Sequence, residues 1–236
     1  MIKIADRLHN MRTLGYMPKD KQIKITGETI HLFAPLAYRL GLFPIKSELE
    51  DLSMKRLHRE TYKEIAHKLN ETKRSRDKYI ADFISPLKKK LEDAGFKFTI
   101  KGRTKSIYSI WNKMNNKGIP FDQIYDLYAV RIIFDPDKDS KETERDQCYH
   151  VFSIITGLYR YKADRVRDWV NYPKNNGYEA LHCTLMSNAG FWIEVQIRST
   201  RMNEIAEKGI AAHWAYKKNG FAEDNESEMD KWISKV

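Results

Sequence analysis

Residues 191–199, with the sequence FWIEVQIRS, are predicted to form a β-strand with two chemically different faces. Successive side chains of a strand point to opposite faces of its sheet. The apolar face is made of Ile193, Val195 and Ile197. The opposite face carries an indole, a carboxylate, an amide and a guanidinium, those of Trp192, Glu194, Gln196 and Arg198. We expect helices to cover the apolar face, which leaves the polar one either as a functional surface or as an ordinary solvated one.

A second strand precedes this one and is predicted to pair with it. Residues 180–187, ALHCTLMS, are followed by the turn residues 188–190, which predicts a β-hairpin. His182 and Thr184 then join Glu194 and Gln196 on one polar sheet face.

A third strand is predicted over residues 127–134, LYAVRIIF, and Asp126 immediately before it has the parity to face the same side. Two carboxylates, Asp126 and Glu194, on neighbouring strands could hold Mg²⁺ beside phosphate oxygens. The alternative is that Asp126 is a turn residue and that Glu194 belongs to a plain surface strand.

Periodicity along the rest of the chain predicts an α+β protein with a helical front. Residues 96–101 alternate like a strand, and helices are predicted near 106–114, 148–160 and 199–217. We expect three parts: helices over 1–75, the sheet domain over 76–220, and an acidic tail over 221–236.

Composition restricts the class of protein. The 236 residues are 42% hydrophobic and 31% charged, which excludes wholesale disorder. Two cysteines cannot build a disulfide framework, and no apolar run is long enough to span a bilayer. We therefore expect a soluble, reduced, cytoplasmic protein without a membrane partner. The formal charge of +10 indicates a polyanionic partner, such as nucleotide phosphates or nucleic acid.

Two basic segments are candidate phosphate sites. Residues 97–118 contain six basic side chains and no acidic one. Lys105, Ser109 and Lys113 are spaced by four, so they line one face of the predicted helix at 106–114, where its N-terminus would also attract phosphate. Such a stripe fits a triphosphate, although it also fits a solvated surface.

The second basic segment, residues 160–178, combines cations with aromatic rings and suits a purine nucleotide. Its turn signal at residues 175–177 would place Tyr178 at the mouth of the following strand. The plain alternative is a structural turn with a packed tyrosine.

Several segments together resemble the synthetase domain of the RelA/SpoT family. They are GRTKSIYSIWNKM (102–114), YDLYAVRII (125–133), YPKNNGYEALH (172–182) and IEVQIRSTRMNEIAEKGIAAHWAYK (193–217). The resemblance implies a nucleotidyltransferase-like mixed sheet flanked by helices. It also implies (p)ppGpp synthesis, in which pyrophosphate moves from ATP to the 3′-hydroxyl of GDP or GTP and AMP leaves.

The resemblance also implies a role for each matching residue. Asp126 and Glu194 would be the catalytic pair that handles Mg²⁺. The ATP-binding residues would be Arg103, Lys105, Ser109, Lys113, Arg167 and Lys174. The GDP- or GTP-binding residues would be Asn176, Tyr178, His182 and Gln196, with Tyr178 stacking on guanine. Glu179 departs from the family pattern, in which a glutamine is common at this position.

The first residues resemble the end of the family's hydrolase domain. In KIADRLHNMRTL (3–14), Asp6 matches a Mn²⁺ ligand and Asn10 belongs to the same motif. The other ligands of that site would lie upstream, so we expect a remnant without hydrolase activity and no role for Mn²⁺ here. The resemblance also implies a regulatory region after residue 236, through which a ribosome or RNA could be contacted. The oligomeric state is left open.

Two other functions fit parts of the sequence. The basic, aromatic-rich segment 160–178 would also suit a non-catalytic RNA-binding or regulatory module. RNA binding, however, gives no reason for two carboxylates on one sheet face. A nucleotidyltransferase that transfers a nucleoside monophosphate is the third possibility, and only the family resemblance argues against it.

Overall fold

The structure is a computed structural model that describes residues 1–124, 127 and 129–209. The chain forms two compact units. The first consists of Met1–Lys73 and Lys105–Ile124, and the second of Arg74–Thr104 and the chain from Tyr125 onward. The segment that follows the first strand of the sheet therefore belongs to the helical unit.

The first unit is helical throughout its regular structure. Its α-helices are α1 (Ile2–Arg12), α2 (Lys19–Glu28), α3 (Ala34–Arg39), α4 (Phe43–Leu57), α5 (Arg59–Glu71) and α7 (Ile107–Lys117). A π-helical segment, Thr29–Phe33, separates α2 from α3. Pro35 lies in the first turn of α3, directly after the π-helical segment. Apolar side chains of α1, α3 and α4, such as Leu8, Ala34 and Leu49, form the core of this unit.

The second unit contains a mixed sheet with helices. In chain order its elements are α6 (Lys73–Asp93), β1 (Lys97–Arg103), β2 (Ala129–Asp135), α8 (Glu144–Leu158), β3 (Arg167–Asp168), β4 (Leu181–Met186), β5 (Trp192–Ser199) and α9 (Thr200–Lys208). The five strands lie in the order β1-β2-β5-β4-β3. β2 and β5 are parallel, and the other neighbouring pairs are antiparallel. The predicted α+β class and the hairpin of β4 and β5 are confirmed.

One face of this sheet is buried against helices. Ile193, Val195 and Ile197 of β5 are fully buried, as the strand alternation predicts. They belong to a core that includes Phe83 of α6 and Val151 of α8. Because α6 and α8 cover this face, the polar side chains of the same strands are on the opposite one.

The end of the last predicted helix cannot be compared with the structure. α9 begins after Ser199, whose hydroxyl caps it by accepting a hydrogen bond from Met202 N, and α9 ends at Lys208. The predicted continuation to residue 217 and the acidic tail lie outside the described residues. Among the helices that the structure describes, none is both long and apolar enough to cross a membrane.

Candidate active site

Strand pairing brings the polar residues of the second unit into adjacent rows on one sheet face. In one row, Gln196 of β5 lies between Arg131 of β2 and His182 of β4, and His182 lies opposite Arg167 of β3. In the next row, Glu194 of β5 lies opposite Thr184 of β4 and Ala129 of β2, which in turn lies opposite Arg103. We call this surface, with Arg198 at the end of β5, the polar face.

A chain of hydrogen bonds joins the centre of the polar face. Gln196 Nε2 donates to Glu194 Oε1 at 2.8 Å, and Gln196 Oε1 accepts from Arg198 Nη2 at 3.1 Å. The same Arg198 nitrogen donates to the Tyr178 hydroxyl at 2.6 Å. The hydroxyl lies 2.7 Å from His182 Nε2. Four predicted site residues therefore lie together: Tyr178, His182, Glu194 and Gln196.

Glu194 has the properties of a metal ligand or a base. Its side chain is 24% exposed, and Oε1 lies 3.8 Å from His182 Nδ1. Within the part of the chain that the structure describes, no group donates a hydrogen bond to Oε2. A partly buried carboxylate with one oxygen available suits a hard cation that shares phosphate oxygens. Asp126, the predicted second carboxylate, lies outside the described residues.

His182 is held neutral by its surroundings. Burial lowers the pKa of His182 to about 4, and the opposite effect of the nearby Glu194 carboxylate only partly offsets it. The Tyr178 hydroxyl accepts from Arg198 and also lies within hydrogen-bond distance of His182 Nε2.

The depressed pKa of His182 predicts a specific loss of stability in acid. Between the ordinary histidine value of about 6.5 and its folded value of about 4, the unfolded chain binds a proton that the folded chain does not. The contribution of His182 to the free energy of unfolding is therefore complete above about pH 6.5. It falls by about 1 kcal/mol per pH unit as the pH decreases from there towards 4.

Urea unfolding of wild type and His182→Gln at pH 7 and pH 5 measures this loss of stability. The variant is expected to lose less stability, whereas the exposed-site control His150→Gln is expected to behave like wild type. Equal losses in all three proteins would contradict the assignment.

Tyr178 is packed more tightly than a stacking platform would be. The residue is 6% exposed, with Arg198 Cζ 4.9 Å and Lys174 Nζ 5.1 Å from the centre of its ring. The turn that carries it closes through a hydrogen bond from Lys174 N to Tyr178 O, with Gly177 at a φ of 73°. Asn176, also buried, accepts from Tyr178 N through its side chain. A purine would reach the ring only after the ring had moved.

Three other predicted cationic residues belong to the second unit, and they differ in exposure and in contacts. Arg103 is exposed at the end of β1. Arg167 is exposed and donates to the carbonyl oxygens of Asp164 and Val166. Lys174 is half-buried, and burial lowers its pKa. Arg103 and Lys174 lie close enough to His182 to disfavour its protonation.

The predicted triphosphate stripe lies in the first unit. Ser106 is the N-cap of α7, and its hydroxyl accepts from Ser109 N at 3.3 Å. Lys105 therefore precedes the helix, while Ser109 and Lys113 are one turn apart within it. Sequence reasoning missed Asp51 of α4, whose carboxylate accepts from Tyr108 N at 2.8 Å. An anionic side chain thus already occupies part of the helix N-terminus.

The two residues of the hydrolase-like motif lie one turn apart on α1. Asn10 Nδ2 donates to Asp6 Oδ2 at 3.4 Å on the exposed side of the helix. Within residues 1–124, 127 and 129–209, no three His, Cys, Asp or Glu side chains come together as a metal site.

The structure adds two arginines to the polar face that sequence reasoning gave no role. Arg131 donates to Glu207 at 2.6 Å. Arg198 is 2% exposed and forms no ion pair among the described residues. The alternation of β5 placed Arg198 on the correct face, but nothing in the sequence indicates its burial or its neighbours.

Comparison with known proteins shows the family. A family model described as "Region found in RelA / SpoT proteins" matches residues 102–221, about half of the chain, and includes every strand described above except most of β1. The chain belongs to the RelA/SpoT family. A second model, described as "HD domain", matches residues 1–43 of this family member, which include Asp6 and Asn10.

Two curated members of the family align over nearly the whole chain. The GTP pyrophosphokinase of Myxococcus xanthus is 40% identical over 236 residues, which are 100% of this chain and 30% of the relative. The bifunctional (p)ppGpp synthase/hydrolase SpoT of Escherichia coli K12 is 40% identical over 220 residues, which are 93% of this chain and 30% of the relative. This chain therefore spans about three tenths of the length of both relatives.

Solved structures show a weaker similarity. The small alarmone synthetase 1 of Bacillus subtilis, bound to its product pppGpp, aligns with 66% of this chain and 82% of its own. The TM-score is 0.44 and the sequence identity 21%. A similarity of this size adds nothing to the family assignment.

Proposed function

We propose that this chain transfers pyrophosphate from ATP to the 3′-hydroxyl of GDP or GTP and releases AMP. The products, ppGpp or pppGpp, are the alarmones of the stringent response, and the proposal includes a cytoplasmic location. Membership of the RelA/SpoT family supports the reaction class. The names of the curated relatives, a GTP pyrophosphokinase and a (p)ppGpp synthase/hydrolase, support the same substrates.

The observation that carries the proposal is Glu194. It is a partly buried carboxylate on the sheet face opposite the core, in the row next to Arg131 and His182. A plain surface strand would not need a buried hydrogen-bond chain beneath a carboxylate. A site for phosphoryl transfer does need fixed dipoles and cations, because catalysis there consists mostly of positioning and charge stabilisation.

The reaction balances with one proton transfer. The 3′-oxygen of the acceptor forms a bond to the β-phosphorus of ATP, and the bond between that phosphorus and the bridging α,β-oxygen breaks. Glu194 accepts the proton of the 3′-hydroxyl, or orients that hydroxyl, and AMP leaves with the bridging oxygen. Mg²⁺, bound by Glu194 and Asp126, would neutralise charge on the phosphates. Gln196 fixes the Glu194 carboxylate by donating to Oε1.

The other residues are proposed to hold the nucleotides. The donor would be bound by Arg103, Lys105, Ser109, Lys113, Arg167 and Lys174. The acceptor would be bound by Asn176, Tyr178, His182 and Gln196. Cations suit these positions because each phosphate oxygen of a triphosphate needs a donor or a counter-charge.

Tyr178→Ala is expected to weaken acceptor binding more than donor binding. The aromatic face that would stack on guanine is removed, and stacking of a base on an aromatic side chain contributes about 1–3 kcal/mol. The KM for GDP should therefore rise about tenfold or more, while the KM for ATP changes less than threefold. Steady-state kinetics with each nucleotide varied in turn measures both values. Equal increases would contradict the stacking role.

The reaction itself is tested by incubating the protein with ATP, GDP and Mg²⁺ and separating the nucleotides. The expected products are ppGpp and AMP in equal amounts. Omission of Mg²⁺, with chelator present, should stop the reaction. Release of inorganic pyrophosphate with attachment of AMP to an acceptor would instead indicate nucleotidyl transfer and would refute the proposal.

A further inference from the structure

Arg198 is a buried cation for which the described residues supply no counter-charge. It is 2% exposed, and both of its hydrogen-bond partners, the Tyr178 hydroxyl and Gln196 Oε1, are neutral. Its Nε and Nη1 atoms are buried and have no hydrogen-bond partner in the described part of the chain. Burying a guanidinium in this way is costly, because the described residues compensate neither its charge nor two of its three nitrogens.

The charged neighbours of Arg198 increase this cost. Burial lowers the pKa of Arg198, the Tyr178 hydroxyl partly offsets this, and Arg131 and Arg103 lower the pKa further. Arg131 has its own partner in Glu207. Glu194, the carboxylate nearest along β5, is directed to Gln196 and His182 instead. Among the described residues, the charged neighbours Arg131 and Arg103 therefore add to the cost of the Arg198 charge.

Arg201, three residues further along, shows how this chain compensates an arginine that is mostly, but not fully, buried. Arg201 donates to Glu179 through both terminal nitrogens, at 2.8 Å and 2.6 Å, and to Glu144 through Nε at 2.8 Å. All of its nitrogens are used, and two carboxylates balance its charge. A buried arginine that lacks such partners among the described residues requires another explanation, and the usual ones are a functional role or a bound ion.

We propose that Arg198 is a phosphate-binding residue of the acceptor site and that the Tyr178 ring covers it until the acceptor arrives. The inference rests on the proposed function, since it takes the acceptor to be a purine nucleotide with a phosphate chain. Both side chains are unsuited to their roles while they contact each other: the Tyr178 ring is not open to a purine, and Arg198 is not open to an anion. A single movement of the Tyr178 side chain away from Arg198 would expose the ring to a purine and the guanidinium to an anion. Nη1 and Nη2 would then form the fork that binds two phosphate oxygens.

The inference predicts an opposite effect of one substitution on stability and on binding. Without nucleotide, Arg198→Met should have a melting temperature equal to or above that of wild type, because an unpaired buried charge is removed. The same variant should bind GDP at least tenfold more weakly and should bind ATP with less than threefold change. Arg198→Lys, which keeps the charge but not the fork, should have intermediate GDP affinity. Thermal unfolding and isothermal titration with GDP and ATP measure these quantities.

Arg201→Met is the matched control, because it removes a partly buried arginine whose charge is balanced. It should lower the melting temperature, and the folded fraction should bind GDP with unchanged affinity. The inference is overturned if Arg198→Met binds GDP like wild type. It is also overturned if Arg198→Met loses as much thermal stability as Arg201→Met, since Arg198 would then be structural.

Failure of the inference and failure of the proposed function give different results. If wild type binds GDP through Arg198 but forms no ppGpp, the proposed reaction is refuted and the role of Arg198 in binding phosphate still holds. If wild type forms ppGpp and Arg198→Met binds GDP with wild-type affinity, only the proposed role of Arg198 in binding phosphate is refuted.

Discussion

Glu194→Gln is expected to lower kcat by about a thousandfold or more while the melting temperature stays within about 2 °C of wild type. Glutamine has the same shape, and its Oε1 can still accept from Gln196 Nε2. The substitution removes the negative charge that would accept a proton or bind Mg²⁺. Because the side chain is 24% exposed and its charged contact among the described residues is His182 at 3.8 Å, folding should not depend on that charge.

The measurement is the initial rate of ppGpp formation at saturating ATP and GDP, with thermal unfolding of the same samples. Glu204→Gln is the matched control, since Glu204 is an exposed carboxylate of α9 that pairs with Lys208. The control should keep wild-type activity. Turnover of Glu194→Gln within tenfold of wild type would remove Glu194 from the mechanism.

Arg201→Met is expected to give the largest loss of stability, about 3–5 kcal/mol in the free energy of unfolding. Arg201 connects α9 to Glu144 of α8 and to Glu179 before β4, and its side chain is 19% exposed. Burial alone would lower the pKa of Arg201, but its hydrogen bonds to Glu179 and Glu144 raise it above its ordinary value. Methionine would remove the charged partner that both partly buried carboxylates have in Arg201.

Urea unfolding of Arg201→Met and of Lys208→Met distinguishes this cluster from an ordinary surface pair. Lys208 pairs with Glu204 on the exposed side of α9, and such pairs contribute less than about 1 kcal/mol. A loss in Arg201→Met no larger than in Lys208→Met would contradict the assignment of the cluster as a structural element.

The parts of the fold that depend on local patterns could be predicted from the sequence. The alternation in residues 191–199 predicted β5 and its two faces, because period two is a property of any strand with one buried face. The turn residues 188–190 predicted the hairpin for the same local reason. Proline is common in the first turn of a helix, yet Pro86 lies inside the single helix Lys73–Asp93.

The parts of the candidate site that depend on tertiary packing could not be predicted. The pairing of Arg131 with Gln196 requires β2 and β5 to be neighbours, although 56 or more residues separate them along the chain. The contact of Asp51 with the N-terminus of α7 likewise joins residues 57 positions apart. Local periodicity also gave no indication that Tyr178 and Arg198 bury each other. The roles assigned to Asp126 and to the nucleotide-binding residues stay predictions.

The most direct test of the central claim is the fate of labelled phosphorus. Two parallel reactions contain the protein, GDP, Mg²⁺ and ATP that is labelled at either the α- or the β-phosphate. Transfer of pyrophosphate predicts that the β-label appears in ppGpp and that the α-label appears only in AMP. An acceptor product that carries the α-label, with the β-label released as inorganic pyrophosphate, would contradict the account.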